Sequence, residues 1–216
     1  MNTPQRKRMR PDEPRLTRED WLDAAYAAVV DGGFDGLRVL PLAHRLRVTR
    51  GSFYWHFGSQ AELLEALLAR WRQQQFDVDA MLQSQHTANA QLDLEQVLET
   101  ALTQIGPKQE HMRFELALRG LGRRDAAVAQ LLAEVDALRM ALFEQKFQRL
   151  TGDAHKAGEL AALFYLALVG CYQALARPGS PPQLKDHLKR LLCLYLVEQQ
   201  APTAAAKPRR AKVSKA

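Results

Sequence analysis

The stretch Leu37–Leu64, LRVLPLAHRLRVTRGSFYWHFGSQAELL, decides how this 216-residue chain is read. Leu42, Ala43 and Leu46 share one face of a short helix, Val48 follows after a brief turn, and Phe53 and Phe57 repeat the spacing on a second short helix. Pro41 fits only in a first helical turn, where its missing N–H has no intrahelical partner, so that helix starts near Arg38 or Leu40. Two short helices crossing steeply across a tight turn form a helix-turn-helix. By spacing alone the same pattern also describes an ordinary corner of a helical bundle.

The exposed residues favour a nucleic-acid reading. With Phe53 turned inward, a rotation of about 100° per residue puts Gly51 and Trp55 nearly opposite it and Ser52 and Tyr54 on the flanks. Gly51 permits close approach to a groove, Ser52 and Tyr54 reach phosphates or base edges, and Trp55 offers thymine-methyl contact or an indole N–H to a phosphate. Thr49 stands where it can cap the helix, and the N–H groups of the first turn suit a backbone phosphate. Arg50 is the candidate for a bidentate guanine contact or a phosphate contact. His56 lies nearer the buried side, with a phosphate contact and a packing role both open. Acidic Glu19, Asp20, Asp23, Asp31 and Asp35 precede this unit, whereas Arg38, Arg45, Arg47 and Arg50 lie inside it.

Working outward, Thr17 caps a first helix with acids in its opening turn and Trp21, Leu22, Ala25, Ala28 and Val29 on one face, ended by Asp31-Gly32-Gly33. Beyond Gly58, Ser59 and Glu62 stand in capping-box relation at the head of a long helix bearing Leu63, Leu64, Leu67, Leu68, Trp71 and Phe76. Helical patterns continue over Leu92–Ile105, His111–Leu121, about Arg124–Leu150, Leu160–Ala176 and about Gln183–Glu198. No alternating strand pattern of useful length appears, so the expected class is all-α.

Charge divides by position. The formal charge is +6, from 30 Lys and Arg against 24 Asp and Glu. Residues 1–15 and 201–216 together hold ten basic and two acidic side chains, so the ends carry +8 and the body between them −2. The expected organisation is a disordered basic arm (1–15), a helix-turn-helix domain (16–60), an effector-binding and dimerisation domain (61–200) and a disordered basic tail (201–216). The uncharged run Leu160–Ala176 falls short of the ~20 residues of a membrane span. A charged N-terminus without a following apolar run argues against a secretory signal. Cys171 and Cys193 lack metal-type spacing and are read as small apolar residues, so no metal site or disulfide framework is expected. The implied setting is reducing and cytoplasmic, with no membrane partner.

The run VTRGSFYWHFGSQAELL, with Gly33-Phe34 closing the first helix, resembles the DNA-binding region of TetR-family transcriptional regulators over about residues 16–65. The later helices are similar only in number, length and order. The resemblance implies an Ω-shaped homodimer, three DNA-binding helices and about six more for effector binding and dimerisation, with Thr49, Arg50, Gly51, Ser52, Tyr54, Trp55 and His56 lining the recognition helix. Two departures stand out: Arg47 takes a turn position usually held by glycine, and Gln60 replaces a common lysine at the head of the fourth helix. A positive φ at Arg47 would cost ~1 kcal/mol or more, offset by any phosphate contact it makes.

In the remaining helices, Leu160–Ala176 and the last helix carry apolar residues around too much of their circumference for one wet face. A second subunit most simply supplies the other cover, with Leu168, Tyr172, Leu188, Leu192 and Tyr195 as candidate interface residues. Trp71, Phe76, Met112, Phe114, Phe143, Phe147 and Phe164 are candidates for an effector pocket, although most suit a plain core. Arg113, Glu115 and Arg119 are read as a solvated face before they are read as polar anchors. Phosphate-cradling loops, paired-histidine metal helices and nucleophile elbows are missing from the sequence, so neither enzyme chemistry nor a cofactor is expected. The favoured function is a ligand-responsive regulator, more a repressor than an activator, binding a palindromic operator in double-stranded DNA as a homodimer. A helical protein-interaction module and a small-ligand-binding bundle are the alternatives.

Overall fold

The structure is a computed structural model that describes residues 16–84, 87–103 and 110–175, together with 183, 186, 187, 190, 191 and 194. The described residues form helices α1 (Arg18–Gly32), α2 (Val39–Arg45), α3 (Arg50–Phe53), α4 (Gln60–Ser84), α5 (Ala90–Thr103), α6 (Glu110–Gly122), α7 (Ala126–Thr151) and α8 (Ala154–Leu175), with a 3-10 turn at Phe34–Gly36 and no strand among them. Two compact units divide at Arg70 and Trp71, inside α4, rather than at residue 60. The expected arm, tail and most of the helix Gln183–Glu198, including Leu188, Leu192, Cys193 and Tyr195, lie outside the described residues.

In the first unit, local chemistry sets the helix ends. The Thr17 backbone N–H donates to Asp20 Oδ2 at 2.6 Å and the Asp20 N–H donates to Thr17 Oγ1 at 3.2 Å, a reciprocal cap for α1. These bonds from the Thr17 backbone and hydroxyl hold the Asp20 carboxyl below its ordinary range. Gly33, at φ 74° and ψ 179°, ends α1 in a conformation open essentially to glycine. At α4 the Glu62 N–H donates to Ser59 Oγ at 3.1 Å, but the returning bond at Glu62 Oε2 comes from the Gly58 N–H at 2.7 Å instead of that of Ser59. Trp21, Leu42, Ala43, Phe53, Phe57 and Leu63 close the core with 0–1% exposure.

The second unit centres on α7, which packs against α5, α6 and α8. Asp125 caps α7 through its side chain, accepting from the Ala127 and Val128 N–H groups. Phe147, Phe164, Ala161, Leu94, Val97 and Leu98 lie in its core. Helix α8 starts earlier than the charge-free run, at Ala154, and by length and composition Ala154–Ala174 is long and apolar enough to cross a membrane. Here its Ala157, Ala161, Phe164, Leu168 and Tyr172 are buried in the core of the unit. Cys171 is half-buried and, among the described residues, free.

Candidate nucleic-acid interface and cavity

Helices α2 and α3 are joined by a turn whose hydrogen bonds account for its shape. After α2 the Arg47 N–H donates to the His44 carbonyl at 3.1 Å and the Val48 N–H to the Ala43 carbonyl at 2.9 Å. This is a Schellman stop, which needs a left-handed residue just past the helix. Arg47 is that residue, with φ 58°, the one non-glycine at positive φ among the described residues. An arginine therefore sits in a glycine's conformation, exposed, at the corner of the turn.

Helix α3 is a single turn, shorter than the periodicity of Phe53 and Phe57 implies. Residues Tyr54–His56 continue as turns, with the Phe57 N–H still bonded to the Phe53 carbonyl at 3.0 Å. Thr49 holds the cap position, yet its side chain makes no capping bond. Phe53 anchors the segment with no exposure, its ring edge-on to Trp21 at 5.3 Å and stacked with Phe57 at 5.5 Å. With that anchor fixed, Arg47, Thr49, Arg50, Gly51, Tyr54 and Trp55 are exposed, and Ser52 and His56 are intermediate. Trp55 is 87% exposed, an extreme value for the largest apolar side chain. The Arg50 Nη2 donates to Tyr54 Oη at 3.0 Å, and its guanidinium lies 5.8 Å from that ring's centre. The sequence-assigned set thus lies together on one short surface.

The second unit contains a cavity of about 430 Å³. Of the seven pocket candidates, Met112 and Phe143 line it. Phe114, Phe147 and Phe164 are fully buried core, and Trp71 and Phe76 are not on its wall. Leu168 and Tyr172, assigned to an intersubunit face, line the cavity from α8. Glu115, read first as a solvated face and second as a polar anchor, also lines it, as do Asp79 and Arg139, which the sequence did not single out.

Glu115 is 4% exposed, not part of a solvated face. Its Oε1 accepts from Arg119 Nη2 at 2.8 Å and Arg139 Nη1 at 2.9 Å, and its Oε2 from Arg139 Nη2 at 2.8 Å. Arg119 also donates to both Asp136 oxygens, at 3.0 and 2.7 Å, and to Tyr165 Oη at 3.3 Å. Arg139 Nη2 reaches Gln75 Oε1 at 2.7 Å. Burial alone would raise the Glu115 carboxyl, but the two guanidiniums hold it below its ordinary value. Desolvation weakens both guanidiniums, and the facing carboxylates outweigh it, so their protons are held more tightly than usual. The Tyr172 hydroxyl is pushed up to about 12 by burial and by Glu115. A second buried cluster joins Lys146 to Asp93 at 3.1 and 3.2 Å, with Arg149 also bonded to Asp93.

Residues 22–67 match the family described as bacterial regulatory proteins, tetR family. An uncharacterized HTH-type transcriptional regulator, TtgW of Pseudomonas putida, is 37% identical over 67 residues, which are 31% of this chain and 49% of that one. The tetracycline repressor protein class D of Escherichia coli is 40% identical over 53 residues, 24% of each chain. The chain thus spans about half or less of the length of these relatives. A putative transcriptional regulator from Saccharomonospora viridis, solved in complex with choline, shares the fold at a TM-score of 0.69 and 19% identity, over 86% of this chain and 98% of that chain. Residues 22–67 thus match the tetR family of bacterial regulatory proteins, and the described helices share the fold of a solved transcriptional regulator.

Proposed function

We propose that the chain is a homodimeric repressor that reads a palindromic operator through α3 and releases it when a small molecule enters the second unit. The observation that carries this reading is the surface of the α2–α3 unit. A fully buried Phe53 anchors a segment whose exposed groups are Arg50, Gly51, Tyr54 and Trp55, a set matched to phosphates, base edges and thymine methyls. Arg47 and Thr49 flank that surface and join it as phosphate contacts, with Ser52 and His56 at its edges. Two such helices about 34 Å apart enter successive major grooves.

Leu163 and Leu166 on α8 are 55% and 67% exposed in the single chain, and a second subunit is the cover we assign to them, with Leu188, Leu192 and Tyr195 completing that face. The cavity supports an effector role, and choline in the Saccharomonospora viridis protein supports a small molecule as effector. A cytoplasmic setting and tails that add non-specific DNA affinity complete the proposal.

Selection of genomic fragments by the purified protein supplies the operator, and titration of that operator against salt tests the contacts. Arg50→Ala and Tyr54→Ala are expected to cost roughly 1–3 kcal/mol each in operator affinity. Unchanged affinity in both would remove α3 as the reading element.

A further inference from the structure

We propose that the cavity of the second unit takes an organic cation with an apolar arm, and that the Asp79 carboxylate is its counter-ion. This rests on the regulator reading above, since it names the chemical class of that reading's effector.

Four observations lead there. Asp79 lines the cavity at 7% exposure, and its Oδ1 has no hydrogen-bond partner among the described residues. Its other oxygen accepts the Gln83 side-chain amide, at 2.6 Å. A buried carboxylate left in this state is costly, and a cation in the cavity relieves that cost. Burial accordingly pushes the Asp79 carboxyl up from its ordinary value.

The second observation concerns the opposite sign. Arg139 is the one Lys or Arg among the described residues on the wall, and both of its terminal nitrogens are already engaged by Glu115 and Gln75. An anionic ligand would meet a guanidinium whose charge the buried Glu115 carboxylate already offsets. Behind it, Arg119 is engaged by Glu115 and Asp136 in the same way.

Third, among the described residues the wall carries Asp77, Asp79 and Glu115 against Arg139, so with His111 neutral the formal charge of these residues is negative before any ligand enters. Fourth, Leu82, Leu142, Phe143 and Leu168 supply buried apolar surface beside these carboxylates, and about 430 Å³ suits a small organic molecule. The Phe143 and Tyr172 rings add faces that attract a cation. A ligand with an alkylammonium head and an apolar arm satisfies all of these together; a carboxylate satisfies none of the polar ones.

The test is calorimetric titration of the purified full-length protein with three probes that share a phenylbutyl arm and end in trimethylammonium, hydroxyl or carboxylate. The ammonium probe is expected to bind at least tenfold more tightly than the alcohol, with the carboxylate weakest. Asp79→Asn should lower ammonium affinity at least tenfold and leave the alcohol unchanged. Asp79→Leu should lose ammonium binding while its thermal midpoint stays level or rises, which a merely structural Asp79 would not allow. The proposal is overturned if the carboxylate binds as tightly as the ammonium probe, if Asp79→Asn binds the ammonium probe as wild type does, or if wild type shows no ammonium binding at millimolar concentration. Retention of genomic DNA by the same protein before any probe is added separates the two readings. Ammonium binding without DNA retention sinks the regulator and keeps the cation site, whereas DNA retention without ammonium binding sinks the cation site alone.

Discussion

Arg50 and Arg139 carry the same guanidinium and are placed in opposite circumstances. Arg50 is exposed, with the Tyr54 hydroxyl and ring beside it, and it keeps most of its five N–H donors toward solvent. Arg139 has a side chain only 16% exposed, donating to Glu115 twice and to Gln75 once. The first unit anchors the exposed surface of α3 with buried rings and leaves its polar groups outside. The second unit pairs charges with one another across α6 and α7 and, among the described residues, leaves Asp79 without a cation. Exposed charge of the first kind contributes little to stability, whereas a buried network of the second kind is costly to break.

The largest effect expected from this contrast is at Glu115. Glu115→Gln leaves two mostly buried guanidiniums facing Asp136 alone and should cost about 3–5 kcal/mol in urea unfolding. Arg50→Ala in the same assay should stay within about 0.5 kcal/mol. The Glu115 carboxyl is held below its ordinary 4.5 in the folded protein. Its contribution is therefore fully present above pH 4.5 and is lost as pH falls through the lowered folded value. Wild type should lose stability in that acid window, and the Gln variant should lose less. Equal acid profiles would break the claim that this network holds the unit together.

The two regions also differed in how far sequence alone revealed them. Helix ends in the first unit are set by neighbours in the chain: Thr17 with Asp20, Ser59 with Glu62, and the Arg47 turn. The inward position of Phe53 followed from its spacing, and so did the exposure of Trp55. The cavity was less legible because it is built from contacts far apart in sequence. Glu115–Arg119 and Asp136–Arg139 have the spacings of ordinary surface pairs along a helix, and nothing local says that α6 and α7 turn them toward each other. Large aromatics drew attention as pocket candidates, yet Phe114, Phe147 and Phe164 fill space, while smaller Asp79 and Gln75 border it or hold its arginine. The one clue available was polar: Asp79 interrupts the face shared by Gln75 and Leu82 on a helix that must pack somewhere.

A smaller effect tests the turn. Arg47 at φ 58° costs about 1–2 kcal/mol relative to a residue without a Cβ. Arg47→Gly should therefore stabilise the chain by up to that amount in thermal or urea unfolding, and at the same time weaken operator binding and flatten its salt dependence by roughly one phosphate contact. A destabilised Gly variant would mean that the arginine side chain is held by something inside the protein, and the strain would then have no bearing on DNA.

The smallest change in stability is expected at Trp55, and it separates the two roles of surface aromatics most sharply. At 87% exposure the indole has almost no intramolecular burial to lose, so Trp55→Ala should move the unfolding free energy by no more than about 0.5 kcal/mol. A solvent-facing tryptophan beside a glycine and an arginine is otherwise hard to account for in an isolated domain, because it leaves a large apolar surface in water. If it is kept for a groove, operator affinity should fall by about 1 kcal/mol or more on its removal while the helix content and melting of the protein stay the same. Phe53→Ala would show the reverse order, losing stability first, since its ring is fully enclosed between Trp21 and Phe57. Were Trp55→Ala to destabilise the fold and spare the operator, the two rings would be doing the same job, and the exposed surface of α3 would have to be reassigned to packing against another part of the protein.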